Sequence, residues 1–204
     1  MVKINAPEIF TLKYRSSYVL VLFLLVLTVT VRAQNNFGLK YFGLSIHPGG
    51  SDNAQLMSTK LDKRARFVLN IGGAFSYEHF IFGDLLSVKI IQALYTDCAS
   101  QLGGYTHVGF RGRIFKRGRH LLNGGIGPTL VYRRNWMELD GYENPTIFKG
   151  NEGDMWQYLF LWYGGEFEYK FSFSKKVNFS MSFVPGYPDL MNLSLGINYK
   201  LTGE

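Results

Sequence analysis

Apolar and polar residues alternate with a period of two through most of the chain beyond its first 33 residues. In "VNFSMSF", Val177, Phe179, Met181 and Phe183 alternate with Asn178, Ser180 and Ser182. In "MNLSLGINYKL", Met191, Leu193, Leu195, Ile197, Tyr199 and Leu201 alternate with Asn192, Ser194, Gly196, Asn198 and Lys200. "EFEYKFSF" repeats the pattern with Phe167, Tyr169, Phe171 and Phe173. Successive side chains of a strand point to opposite faces, so each segment carries one apolar and one polar face. The pattern predicts eight strands, roughly 37–47, 65–78, 85–96, 102–116, 120–134, 156–173, 177–187 and 190–201.

Two arrangements bury such strands: a soluble sandwich with the apolar faces inward, or a barrel with the apolar faces in lipid. The N-terminus favours the second. Lys3, Lys13 and Arg15 precede an apolar run, Tyr18 to Val31, of 14 residues. That is shorter than the ~20 residues of a spanning helix. Val31 and Ala33 then stand at the small-residue positions of a signal-peptidase site. Residues 1–33 are expected to be a cleaved secretory signal and residues 34–204 the folded domain. An exported chain with long amphipathic strands is expected to be all-β, an eight-stranded antiparallel transmembrane β-barrel of the bacterial outer membrane. Closure is obligatory there, because an open sheet edge in hydrocarbon leaves backbone groups unpaired. The connections agree: "EHFIFGD", "KRGR" and "SKK" are short, whereas 48–64 and 135–155 are long. Short periplasmic turns and longer outer loops are the pattern of such barrels.

Charge and cysteine count narrow the function. The formal net charge is +7; loss of Lys3, Lys13, Arg15, Arg32 and Glu8 with the signal leaves +4, which does not argue for a nucleic-acid partner. A single cysteine, Cys98, excludes an internal disulfide, no Cys/His spacing suits zinc, and the acidic loop Glu138 to Asp154 is read as a solvated loop over a divalent-cation site. No cofactor is expected. The histidines His79 and His120 fall at periplasmic turns, and His107 lies in the fourth strand as a packed side chain. Glu166, Glu168 and Lys170 face inward as a polar plug. Trp136, Trp156 and Trp162 suit an interfacial girdle. Arg133, Arg134, Lys60, Lys63, Arg64 and Arg66 place positive charge near the outer rim.

The topology brings three chemistry-bearing residues to that rim. The first strand runs outward and ends at His47; the third runs outward and ends at Asp97-Cys98. Histidine, aspartate and a nucleophile are the parts of an acyl-transfer site. Here the chain resembles the PagP family of outer-membrane lipid A palmitoyltransferases. His47 in "GLSIHPGG" and Asp97-Cys98 in "LYTDCAS" match the family's rim histidine and Asp-Ser, with cysteine for serine. "GGIGPTLVYRRNW" and the last hairpin, with Pro185-Gly186, also look similar.

The resemblance implies transfer of a palmitoyl-like chain from a phospholipid donor to a lipid A acceptor by a monomer. His47 would be general base, Asp97 its orienting partner, and Cys98 would take the serine's place. Gly109 would floor the acyl pocket, and Pro185 would open a lateral route for the acyl chain. The family's N-terminal amphipathic helix and first-strand proline are missing. A lipid A deacylase is set aside, since no histidine stands in a His-x-Ser motif. The alternative is a non-enzymatic structural or adhesive barrel, which explains every periodic feature but not the shared rim.

Overall fold

The computed structural model describes residues 34–143, 147–186 and 190–201. The signal expected over residues 1–33 lies outside the described residues. Nine strands form one antiparallel sheet: β1 (Asn35–Ile46), β2 (Phe67–Leu69), β3 (Ile71–Phe82), β4 (Leu86–Thr96), β5 (Leu102–Arg117), β6 (His120–Arg134), β7 (Trp156–Ser172), β8 (Val177–Gly186) and β9 (Leu190–Leu201). β2 and β3 lie end to end against β1 and are interrupted only at Asn70, whose N–H donates to Gly43 O at 2.6 Å. They make one stave, so the barrel has eight.

β9 closes the sheet on β1, from Asn35↔Leu201 to Ser45↔Asn192. The expected eight-stranded antiparallel barrel is the observed one. The strand bounds differ little from expectation. β3 runs on to Phe82, because Gly83 at φ +52° makes the turn that "EHFIFGD" had been expected to supply.

The exterior is apolar. Leu39, Phe75, Ile90, Phe110, Ile126, Phe160, Phe167 and Ile197 are all exposed large hydrophobics, spread over seven of the eight staves. An exposed apolar surface on this scale is unsuited to water and suits a lipid-facing band. Trp156 and Trp162 stand on this outer surface as the girdle requires. Trp136 does not: it is buried at the rim.

The interior holds two layers. The periplasmic half is charged. Lys40 and Lys89, from β1 and β4, and Arg111, from β5, each reach both Glu166 and Glu168 of β7. Lys170 pairs with Glu78 at 2.6 Å and with Glu168 at 3.3 Å. Hydroxyls fill the remaining acceptor sites: Ser180 donates to Glu168 and Ser182 to Glu166, both at 2.6 Å, and Ser87 to Glu78 at 2.8 Å. Above lies an apolar layer of Phe42, Ala74, Ile91, Ala93, Tyr105, Val131, Phe148 and Val184. The bore of an eight-stranded barrel is just wide enough for side chains to fill. Between the layers a cavity of about 10 Å³ touches Lys40, Lys89, Glu166 and Tyr105, room for about one water.

The charges hold one another in a space from which water is excluded, so removing one should cost far more than removing a surface charge. Glu168→Ala would leave four buried cations facing two carboxylates. We expect it to lower stability by about 3–5 kcal/mol, measured as urea unfolding of the barrel in lipid vesicles. Lys175→Ala, in the solvated β7–β8 turn, should change the same midpoint little.

Candidate functional site

β1, β4 and β6 end on the same side of the barrel, and their last residues surround a pocket of about 140 Å³. His47, Asp97, Cys98, Arg133, Trp136 and Phe148 line it. Its floor is the ring pair Phe42 and Tyr95, stacked at 4.1 Å between centroids, with Tyr105 beneath Phe42. The shared rim read from the topology is thus also a shared pocket for His47, Asp97 and Cys98.

Each of the three is bound to something other than the others. Asp97 opens the β4–β5 turn. Its Oδ1 accepts from Ala99 N at 3.0 Å and from Gln101 N at 2.8 Å, the self-capping geometry that makes aspartate a turn residue. Its Oδ2 accepts from the indole Nε1–H of Trp136 at 2.8 Å. Burial pushes the Asp97 carboxyl upward, against the pull of the donors from Gln101, Trp136 and Ala99. The imidazole of His47 donates from Nδ1 to Ala65 O at 3.0 Å, and its backbone N–H donates to Arg66 O at 2.7 Å. Among the described residues no hydrogen bond joins His47 to Asp97 or Cys98.

Cys98 lies in a small apolar cluster with Met57, Ala65, Val68, Ala99 and Trp136. Burial, and then the neighbouring Asp97 charge, push its thiol up to about 12. The thiolate is the nucleophile of cysteine chemistry, and reactive cysteines sit in electropositive, accessible places. Cys98 is buried beside a carboxylate.

Arg133 is the basic group of the pocket. Its guanidinium lies 4.0 Å from the centroid of Trp136 and 3.9 Å from that of Phe148. Nε donates to Gln157 Oε1 at 3.1 Å and Nη2 to the Tyr142 hydroxyl at 3.0 Å. The turn Trp136–Glu138 that delivers Trp136 is set by Asn135, whose side chain accepts from Met137 N at 3.0 Å and donates to Asn151 O and Asp154 O at 2.9 Å.

Gly109 and Pro185 do not line this pocket. Gly109 faces the bore below it, and a Cβ there would stand 2.5 Å from His107 Nε2 and 2.8 Å from Ile126 O. His107 itself is buried and hydrogen-bonded to Thr129 Oγ1 at 2.7 Å, the packed role its place in the strand suggested. Pro185 sits opposite Gly165, where the β7–β8 ladder stops after Phe167↔Phe183. Beyond that point the loop covers the β7 edge: Lys149 and Tyr158 exchange backbone hydrogen bonds of 2.8 and 2.9 Å. Among the described residues no group of His, Cys, Asp and Glu is placed to hold a metal ion.

No protein family and no curated protein matches the chain in sequence. Among solved structures it is similar to the outer membrane protein OprG from Pseudomonas aeruginosa. Identity is 12%, the match covers 83% of this chain and 97% of that one, and the TM-score is 0.45. The resemblance to the PagP acyltransferases is corrected: a solved structure that the chain is similar to is a different outer membrane protein. The interior agrees with the correction, since aromatic rings and paired charges occupy the bore where that family would hold an acyl chain. Sequence reasoning missed Trp136 as the partner of Asp97 and Arg133 as its neighbour. The one available signal was their place at the outer end of the fifth expected strand, 120–134.

Two measurements follow from this geometry. With its thiol at about 12, Cys98 has about one part in ten thousand as thiolate at pH 8. Iodoacetamide at pH 8 should leave the folded barrel unmodified and label it only after denaturation, read by intact mass. Trp136→Phe keeps an aromatic ring, though a smaller one, and removes the donor to Asp97. It should cost about 1–3 kcal/mol of stability through a buried acceptor left short of one donor, measured by the same vesicle unfolding.

Proposed function

We propose that this chain is a non-enzymatic small barrel of the bacterial outer membrane, exported behind a cleaved leader over residues 1–33. In this reading its outward pocket serves binding or structure rather than bond-making. The observation that carries it is the filled bore. The network of Lys40, Lys89, Arg111 and Lys170 with Glu78, Glu166 and Glu168 spans the interior, and the aromatic floor closes the pocket above it. Asp97 then acts as a brace, tying the β4–β5 turn to the turn that follows β6 through Trp136. Cys98 fills space beneath that brace.

A second reading, acyl transfer from a phospholipid to lipid A, is favoured by one observation: His47, Asp97 and Cys98 line one pocket. Mass spectrometry of lipid A from cells with and without the gene separates the two. The barrel reading expects the same acylation pattern in both. An added acyl chain that depends on the gene and disappears with His47→Ala would reverse the assignment. Reconstitution into a planar bilayer tests the filled bore itself. The wild-type barrel should show no steady conductance.

A further inference from the structure

The stave made of β2 and β3 carries an exposed apolar row, Phe67, Leu69, Ile71 and Phe75, along its lipid-facing side. Phe67 ends the row. Directly before it in sequence come Arg66, Arg64 and Lys63, all exposed. The preceding segment doubles back beside β2. Leu61 N donates to Phe67 O at 2.8 Å and Leu69 N to Thr59 O at 3.1 Å, which sets the exposed Leu61 next to the end of the row. The apolar surface therefore stops at Leu61 and Phe67, and three cations begin within one to four residues of that stop. In a membrane-spanning barrel, this is headgroup depth.

The segment is held rigidly while its basic side chains remain outside. Ser51 N donates to Arg64 O at 2.9 Å, His47 N to Arg66 O at 2.7 Å, and Ala65 N to Asp62 O at 3.0 Å. Ala65 itself is fully buried with φ +51°. The carboxylate beside the cations, Asp62, is turned to the backbone and accepts from Phe67 N at 3.0 Å and Arg64 N at 3.2 Å. The Phe67 N–H above all holds its carboxyl below the usual range. Lys60 is spent on Ala54 O at 2.6 Å. Among the described residues no ion pair involves Lys63, Arg64 or Arg66, whereas every cation of the bore has one.

We propose that Lys63, Arg64 and Arg66 form a docking site for the phosphate groups of a phosphorylated lipid headgroup in the outer leaflet. The fork of arginine matches phosphate oxygens, and a lysine adds a point charge. The backbone is already fixed, so little of the loop has to be ordered on binding. Continuity of the cations with the lipid-facing row selects a lipid over a soluble phosphate. The inference rests on the transmembrane reading of the barrel.

The test uses the full barrel in a neutral detergent, titrated with bis-phosphorylated lipid A, with its enzymatically dephosphorylated form, and with inorganic phosphate. Bound lipid is counted by native mass spectrometry. The phosphorylated lipid should bind about tenfold or more tightly than the dephosphorylated one. The triple variant Lys63→Gln, Arg64→Gln, Arg66→Gln should lose that difference. Lys175→Gln with Lys176→Gln, at the opposite end of the barrel, should keep it. Equal binding of the two lipids, an unaffected triple variant, or equal competition by inorganic phosphate would each overturn the proposal. The heat-dependent gel shift of folded barrels shows whether the variants fold. Quenching of Trp156 and Trp162 by brominated lipid in vesicles tests membrane insertion separately. Its loss would remove the transmembrane reading, whereas quenching without phosphate discrimination would remove only the docking site.

Discussion

Glu168 is the group on which the interior turns. It is fully buried and meets Lys40, Lys89, Arg111 and Lys170 from four different strands, with Ser180 and Asn198 supplying further donors. A closed barrel with lipid outside has to place its polar residues inside, and charges inside a narrow bore have to answer one another. The strand register is set by this requirement as much as by the apolar exterior. A slip of one residue would turn the charges to lipid and Phe167, Tyr169 and Phe171 to the bore.

The outer rim is built on a different economy. There the charged groups of the pocket, Asp97 and Arg133, are met by neighbours within the rim itself. Asp97 is met by two backbone N–H groups and an indole, Arg133 by two rings, a carboxamide and a phenol. These contacts join the β4–β5 turn to the loop after β6, and the loop after β1 is tied to both by Thr59 N donating to Cys98 O at 3.4 Å and Asn53 Nδ2 to Glu143 O at 2.8 Å. The contacts of Asp97 leave it committed to holding the rim together. Histidine, aspartate and thiol line one pocket but hold separate contacts: His47 with Ala65 O, Asp97 with Trp136, and Cys98 within its apolar cluster.

Much of the architecture was legible in the sequence. Period-two alternation located all eight staves, and inward parity placed Glu166, Glu168 and Lys170 in the plug. The same parity argument applied to "LKYF", "SVKII" and "GFRGR" would have added Lys40, Lys89 and Arg111, because each basic residue alternates with lipid-facing apolar ones. The rim was legible only as a neighbourhood. Strand direction shows which ends share a side of the membrane, but hydrogen-bond partners there depend on loop paths of 15 residues or more that carry no periodic signal. Trp136 shows the difference: an aromatic after a strand end reads as girdle, yet the loop turns it inward onto Asp97. The resemblance to acyltransferases rested on strand-end residues and on the order of strand segments, neither of which shows how the bore is filled.

The seam between β1 and β9 joins the two ends of the folded chain, with Asn35 opposite Leu201. Every other stave pairs with a neighbour close in sequence. Closure therefore waits for the last strand to be made and delivered, and until then the sheet has two free edges. Contacts of such long sequence separation form late and slowly. One strand, β9, therefore covers both free edges at once when it meets β1 with β8 already on its other side.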